Sequence, residues 1–456
     1  MPVGTTTITR TFGTPTDRDK WTYSAWVKIS YQGAAMEQGL FLGYIDASNY
    51  TELYITETGQ LLLYNHLSGS AGGNIKTNRV FKDPSAFYHI QVVWDSGNAV
   101  EADRVKFYIN GVQETSLATS TYPAIDTNST INGDNLHEIG GKVGTFDFSG
   151  VMSNVQFVDG SALAPTEFGE VDATSGIWKI KTSCYGTPGN NGFCLKMEDR
   201  TNLDLDSSSN AATFSTTGNL TATYDNPSNN FATMNPLDNY YAASTFTNGN
   251  NTISTHAANK TFNTSTLAVA SGKWYWEVKI TTTASESAEV GIASVPSTQS
   301  AGGGGELNHS AGNYEYRSDG TKGNNNSNTS WGNTWNTDDD IVGVALDLDN
   351  SKLYFSKNGV WQESGDPTSG ATGTGAAFTV TAPASQTLIG SLNAYTPALG
   401  EEGAQTDVFS VNFGNGYFGT TAVTSANADD AGIGAMEYDV PAGYYCLCTK
   451  NIKAYG

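Results

Sequence analysis

Short apolar stretches that alternate with period two, each closed by Gly, Asn or Asp, recur along this sequence and leave little choice of fold class. In "SGKWYWEVKI" (271–280), Trp274, Trp276, Val278 and Ile280 fall on one face and Tyr275, Glu277 and Lys279 on the other, as in a β-strand with one buried face. In "FYHIQVVWD" (87–95), Tyr88, Ile90, Val92 and Trp94 share a face opposite His89, Gln91, Val93 and Asp95. Further runs are "WTYSAWVKI" (21–29), "GLFLGYI" (39–45), "YTELYIT" (50–56), "QLLLYN" (60–65), "RVKFYING" (104–111) and "GVMSNVQFVDG" (150–160). Their spacing is that of an antiparallel sandwich or barrel, and Asn110-Gly111 supplies the positive φ of a tight turn. The 50 Gly fit many turns, and an aromatic share of 11% gives the strands enough surface to bury. Pro165 begins the only short helix expected, in "SALAPTEFG" (161–169).

At 456 residues the chain is longer than one core covers, so roughly two to three domains are expected. The 23 Lys and Arg stand against 45 Asp and Glu spread along the chain, a formal charge of −22. Such a surface repels nucleic acid and anionic bilayers. No apolar run approaches the roughly 18 residues of a membrane span, and "MPVGTTTITR" does not read as a signal peptide. We therefore expect no nucleic-acid partner, no membrane insertion and synthesis in a cytosol. Cys184 and Cys194 flank a Gly/Pro/Asn loop, Cys446 and Cys448 alternate on a strand, and the five His are scattered. Zinc spacing is missing, and free, mostly buried thiols are expected.

From residue 80 to 175, "FYHIQVVWDSGNAVEADRVKFYINGVQ" and then "FSGVMSNVQFVDGSALAPTEFGE" resemble a laminin-G/concanavalin-A-like jelly roll of the kind found in structural proteins of marine tailed phages. Residues 1–79 share only the pattern. The resemblance implies a first sandwich over 1–175. Residues 176–235 are turn-rich, with apolar anchors Trp178, Phe193, Leu195, Phe214 and Phe231, and read as an ordered connector lying on a domain surface. "GKWYWEVKI", "AEVGIAS" (288–294), "YEYRSDGTKGNN" (314–325), "DDDIVGVALDLDNSKLYFSKNGVW" (338–361) and "VFSVNFGNGYF" (408–418) are similar, in that order, to a SPRY domain over 236–425. Trp274 and Trp276 are then core, packed against Ile341–Leu348 and Phe355. Residues 426–456 make a strand-like tail that closes the sandwich or meets a neighbouring virion protein. The fold class is all-β: two antiparallel β-sandwiches joined by an ordered connector.

The chemistry is sparse. Glucanases of the concanavalin type carry E-x-D-x-E or E-x-D-x-x-E on one strand, so that acid and nucleophile share a face. Here "EAD" (101–103) and "EVD" (170–172) lack the second Glu. There is no G-x-S-x-G elbow and no phosphate loop, and "AGGGGE" (301–306) reads as a loop tip. Calcium is the one cofactor candidate, with Asp95, Asp103 and Asp134 near strand ends as ligands. The trio Asp338–Asp340 reads either as a second carboxylate cluster or as a solvated turn. For sugars, "NSNTSWGNTWNTDDD" (326–340) places Trp331 and Trp335 in a polar loop beside Asn333, and Tyr314 and Tyr316 lie close before it. Aromatic plates with planar polar neighbours suit glycans; the competing reading folds the tryptophans back as a lid.

These readings imply a non-enzymatic phage protein on the virion surface, a fibre, knob or decoration, with other virion proteins and a host glycan or receptor as partners. A homo-oligomer is expected, as fibres commonly are. A purely structural joining protein without glycan binding, and a polysaccharide depolymerase, are the alternatives.

Overall fold

The computed structural model describes residues 6–30, 37–143, 147–218, 220–238, 242–284, 286–296 and 305–456, and the chain divides into two compact units, Met1–Ala222 and Thr223–Gly456. Loop "AGGGGE" thus falls mostly outside the described residues. Among those described, no helix is long and apolar enough to cross a membrane.

The first unit runs β1 (Thr7–Thr11), β2 (Lys20–Ile29), β3 (Gln38–Asp46), β4 (Asn49–Ile55), β5 (Gln60–Leu67), β6 (Ser70–Val80), β7 (Tyr88–Asp95), β8 (Val105–Ile109), β9 (Val112–Glu114), β10 (Leu117–Thr121), β11 (Leu136–Ile139), β12 (Gly150–Asp159), β13 (Gly169–Val171), β14 (Trp178–Ile180), β15 (Phe193–Leu195) and β16 (Ser215–Thr217). An eight-stranded sheet, β10-β6-β5-β4-β3-β11-β1-β16, and a six-stranded sheet, β15-β12-β2-β7-β8-β9, make the sandwich. Alternation sends Trp21, Tyr23, Ile90, Val92 and Trp94 inward against Phe41, Leu53, Leu63 and Ile75. Trp21 lies opposite Trp94 in register, and the indoles stack at 5.9 Å.

Residues 176–222 also build this unit. β15 pairs with β12, and Phe193, Leu195 and Phe214 join the core. Residues 161–185 lie as a strap across the outer face of the six-stranded sheet, read by its amides. Asn154 Nδ2 donates to the Lys181 carbonyl at 2.8 Å and Gln91 Nε2 to the Leu163 carbonyl at 2.8 Å, while Gln156 Oε1 accepts from the Tyr185 N–H at 3.0 Å. The strap ends in a disulfide between Cys184 and Cys194, with Cα atoms 5.8 Å apart. This corrects the expectation of free thiols there: β12 pairs with the strand bearing Cys194 and also anchors the strap bearing Cys184, which brings the sulfurs together. Cys446 and Cys448 are free and buried, and burial raises both thiol pKa values.

The second unit runs β17 (Thr245–Thr247), β18 (Thr252–Ser254), β19 (Thr261–Thr264), β20 (Lys273–Thr282), β21 (Ala288–Ala293), β22 (Asn313–Arg317), β23 (Thr321–Asn324), β24 (Ser327–Ser330), β25 (Ile341–Asp347), β26 (Lys352–Lys357), β27 (Val360–Trp361), β28 (Phe378–Thr379), β29 (Thr396–Glu401), β30 (Val408–Asn412), β31 (Tyr417–Phe418), β32 (Thr421–Ala422), β33 (Tyr445–Cys446) and α1 (Thr449–Tyr455). One sheet is β17-β18-β30-β20-β25-β26-β27, with β28 on β26 and β33 on β20; the other is β19-β29-β21-β22-β23-β24. Trp274 lies opposite Leu346, and Trp276 opposite Val344, which faces Phe355. All five are core.

The second face of β20 is buried as well. Tyr275 packs with Phe231, Tyr354, Met436, Tyr444 and Cys446, so the chain end covers this sheet. Glu277 fixes the cover: its carboxylate accepts the N–H groups of Glu437 and Tyr438, each at 2.8 Å, and the Tyr275 hydroxyl at 3.1 Å. Burial pushes its pKa up to about 7 against those donors. The chain then finishes in α1, so the 3₁₀ turn Pro165–Glu167 is not the only helical segment.

The outer face of the other sheet carries Glu289 and Glu315, both fully buried. Segment 305–312 covers them. Glu289 accepts the Leu307 N–H at 2.9 Å, and Glu315 accepts Asn308 Nδ2 at 2.9 Å. The two side chains also hydrogen-bond to each other, near Arg317 and Glu402. Desolvation raises both carboxyl groups, and the Glu315 charge raises Glu289 further, as the Glu402 charge raises Glu315. The folded pair retains a proton that an unfolded chain releases.

Two outcomes are expected. The second unit should lose stability as pH climbs from about 4.5 toward about 8, because the folded state binds more protons than the unfolded state across that window. Glu315→Gln should flatten that fall in pH-resolved denaturation. Cys184→Ser should cost the first unit roughly 3 kcal/mol through loop entropy, read by denaturant unfolding, and leave the transition of the second unit in place.

Candidate functional site

The loop chosen from sequence for glycan contact folds inward. Trp335 is 1% exposed and Tyr316 0%, and both belong to the core of the second unit. Trp331 is half-buried, edge-on to Tyr316 at 5.3 Å, with Lys322 Nζ 5.6 Å from its ring. The backbone explains the fold-back: the N–H groups of Trp331 and Gly332 donate to the Gly320 carbonyl at 3.1 and 3.0 Å. The Asn333 N–H donates to Gln362 Oε1 at 2.8 Å, and the Tyr316 hydroxyl donates to the Asn333 carbonyl. Tyr314 points to Phe378 and Tyr395, at 5.1 and 6.1 Å. Of the five residues, the structure gathers Tyr316, Trp331 and Trp335 as packing, puts Tyr314 elsewhere in the same core, and leaves only the Asn333 side chain exposed. A polar loop can bury an indole without becoming a strand, and this one does.

The calcium candidates do not converge either. Asp103 holds Lys106 at 2.9 Å, Asp95 stands 4.0 Å from Lys20, and Asp134 is exposed. Asp339 pairs with Lys279 at 2.8 Å and Asp340 with Lys357 at 3.0 Å, while Asp338 caps the Thr283 N–H at 2.8 Å. Among the described residues, no three His, Cys, Asp or Glu are placed to hold a metal ion, and this donor set does not fit calcium.

One pair looks catalytic. Ser24 Oγ lies 2.8 Å from His89 Nε2, and Trp178 Nε1 donates to His89 Nδ1 at 3.1 Å. That indole fixes the tautomer: Nδ1 accepts, so Nε2 carries the proton and donates to the serine. Burial depresses the imidazole to about 3. A histidine so held cannot deprotonate its serine. The arrangement secures the strap.

The outer face of the eight-stranded sheet is different. On β4 and β5, Leu53, Ile55, Leu61 and Leu63 turn inward, while Tyr50, Glu52, Tyr54, Leu62, Tyr64 and His66 turn outward. Across the strands Tyr44 faces Tyr50, which faces His66. In the next row Leu42 faces Glu52, Glu52 faces Tyr64, and Tyr64 faces Asn74. The rings form one platform: Tyr50 to His66 is 4.8 Å, Tyr64 to His66 5.6 Å and Tyr50 to Tyr64 6.1 Å, with the Tyr64 hydroxyl 3.1 Å from His66 Nδ1. Tyr44, Tyr50, Tyr64 and His66 are all half-buried.

One border is set by Gly39. A Cβ there would sit 2.4 Å from the Gly141 backbone, so the bare α-carbon lets residues 140–143 lie directly on the sheet. They bring in Lys142, whose ammonium is 3.0 Å from Glu37, 3.7 Å from Glu52 and 4.6 Å from the centre of the Tyr54 ring. Burial pushes Glu52 up to about 7, offset by Lys142 and the Val143 N–H. Sequence reasoning missed this face, although the signal was present: aromatics at 50, 54 and 64 occupy the positions opposite core leucines, where polar residues are ordinary.

Residues 4–167 match the model of the concanavalin A-like lectin/glucanases superfamily, and residues 273–391 match the SPRY domain model. The chain carries a concanavalin A-like domain and a SPRY domain. The SPRY domain of human HERC1 aligns over 39% of this chain and 96% of its own, at 15% identity and TM-score 0.30. Stonustoxin aligns over 40% of this chain and 27% of its own, at 16% identity and 0.29. The PSpry domain of TRIM65 aligns over 40% and 88%, at 12% and 0.29. No curated protein matches the sequence. Concanavalin-like and SPRY modules suggest binding or adhesion.

The inward fold of the loop has a direct consequence. Trp335→Ala should cost the second unit about 3–5 kcal/mol, measured by chemical denaturation. A loss under about 1 kcal/mol would mean that the indole is not core.

Proposed function

We propose that this chain is a non-catalytic adhesion protein of a phage particle surface, which holds a host glycan on the tyrosine face of its first unit and meets other virion proteins elsewhere. The observation that carries the glycan part is the platform of Tyr44, Tyr50, Tyr64 and His66. Aromatic plates take the apolar faces of sugar rings, and polar groups at the margin take hydroxyls. The other outer faces are used by the chain itself: the strap covers one, segment 305–312 another and the chain end a third.

The phage part rests on the resemblance of residues 80–175. A formal charge of −22 suits an environment of seawater-like ionic strength, where exposed charge is screened within a few ångströms. The non-catalytic part is supported by the missing Glu-Asp-Glu pattern and by the locked tautomer of His89.

Affinity electrophoresis through gels containing host surface polysaccharide tests the reading. The wild type should be retarded, and each of Tyr50→Ser and Tyr64→Ser should weaken retention about tenfold, or 1.4 kcal/mol. Release of reducing sugar by the wild type would overturn the non-catalytic assignment. Mass spectrometry and antibody labelling of purified particles should find the chain at the surface; its absence would overturn the virion assignment.

A further inference from the structure

The platform has a length and a charge, and together they select among glycans. Its long row, Tyr44, Tyr50 and His66, crosses three adjacent strands. Such a row spans roughly 10 Å perpendicular to the strands. That is longer than one sugar ring. The second row places Tyr64 between Glu52 and Asn74, and the Glu52 carboxylate is held by Lys142 and the Val143 N–H.

Charge selects the class. Glu52 and Glu138 share the parity of the tyrosines, and Glu37 stands at the border. Against these three carboxylates stand two lysines. Lys142 is held between Glu37 and Glu52, and Lys76 lies in the outer row opposite Leu62. An anionic glycan would meet net negative charge both here and over the whole chain.

Resting on the glycan reading above, we propose that this face takes an extended, uncharged oligosaccharide laid across β3, β4 and β5, with its ring faces on Tyr44, Tyr50 and His66. A single terminal sugar covers too little of the row to bind well, and uronate, sialate or sulfate groups are rejected. Because no ion pair forms with the ligand, affinity is nearly independent of salt.

The test is an array of neutral and anionic oligosaccharides of graded length, probed with the full chain at low and high salt. Neutral chains should bind, with affinity rising with length and changing less than about twofold with salt. Tyr64→Ser should lower it about tenfold. Preferential binding of anionic chains that Tyr64→Ser still abolishes would overturn the uncharged class and keep the face. Binding indifferent to both Tyr50→Ser and Tyr64→Ser, or no binding at all, would overturn the face itself.

Discussion

Cross-strand packing of tryptophan is the contact around which both units close. Trp21 on Trp94 in the first unit, and Trp276 beside Val344 and Phe355 in the second, fill the space between sheets with the largest side chains available. An indole buries on the order of 200 Å², and its loss leaves a cavity the surroundings cannot refill. Strands that carry such residues at every second position must find a second sheet. Everything on their other faces is then left to the loops.

The molecule resolves that remainder in two ways. Where the second face is polar but hydrogen-bonding, as at His89, Gln91 and Gln156, a strap of chain lies down: its Trp178 indole donates to His89, and its backbone groups meet Gln91 and Gln156. Where it carries carboxylates, as at Glu277 or at Glu289 with Glu315, covering segments offer N–H groups and the carboxyl groups hold protons longer than they would in water. The face of Tyr44, Tyr50 and Tyr64 follows neither course. Its aromatics stay half-buried, packed on one another.

The sandwich class was legible because period-two alternation survives in almost every strand, and Trp274 and Trp276 point where that alternation sends them. The cover on β20 was not legible: Tyr275 and Glu277 read as an exposed face, and the segment bearing Met436 and Tyr444, more than 150 residues away in sequence, helps to bury them. Helix α1 escaped notice because "TKNIKAY" has no apolar period to announce it. The Cys184–Cys194 bond depends on two segments meeting at β12, which spacing does not encode. The loop tryptophans were judged by their polar neighbours, whereas their fate is set by Gly320 and Gln362. The tyrosine face needed the register of three strands before its parts became one surface.

Gly39 gives that surface its edge. Because its α-carbon carries nothing, residues 140–143 rest directly on the sheet, and Lys142 reaches Glu37 and Glu52. Any larger residue would raise the segment like a hinged sill and open more of the sheet toward Tyr54. The width of the surface offered to a partner is thus governed by one missing methyl group, and related chains could widen or narrow their reach by a change at that position alone.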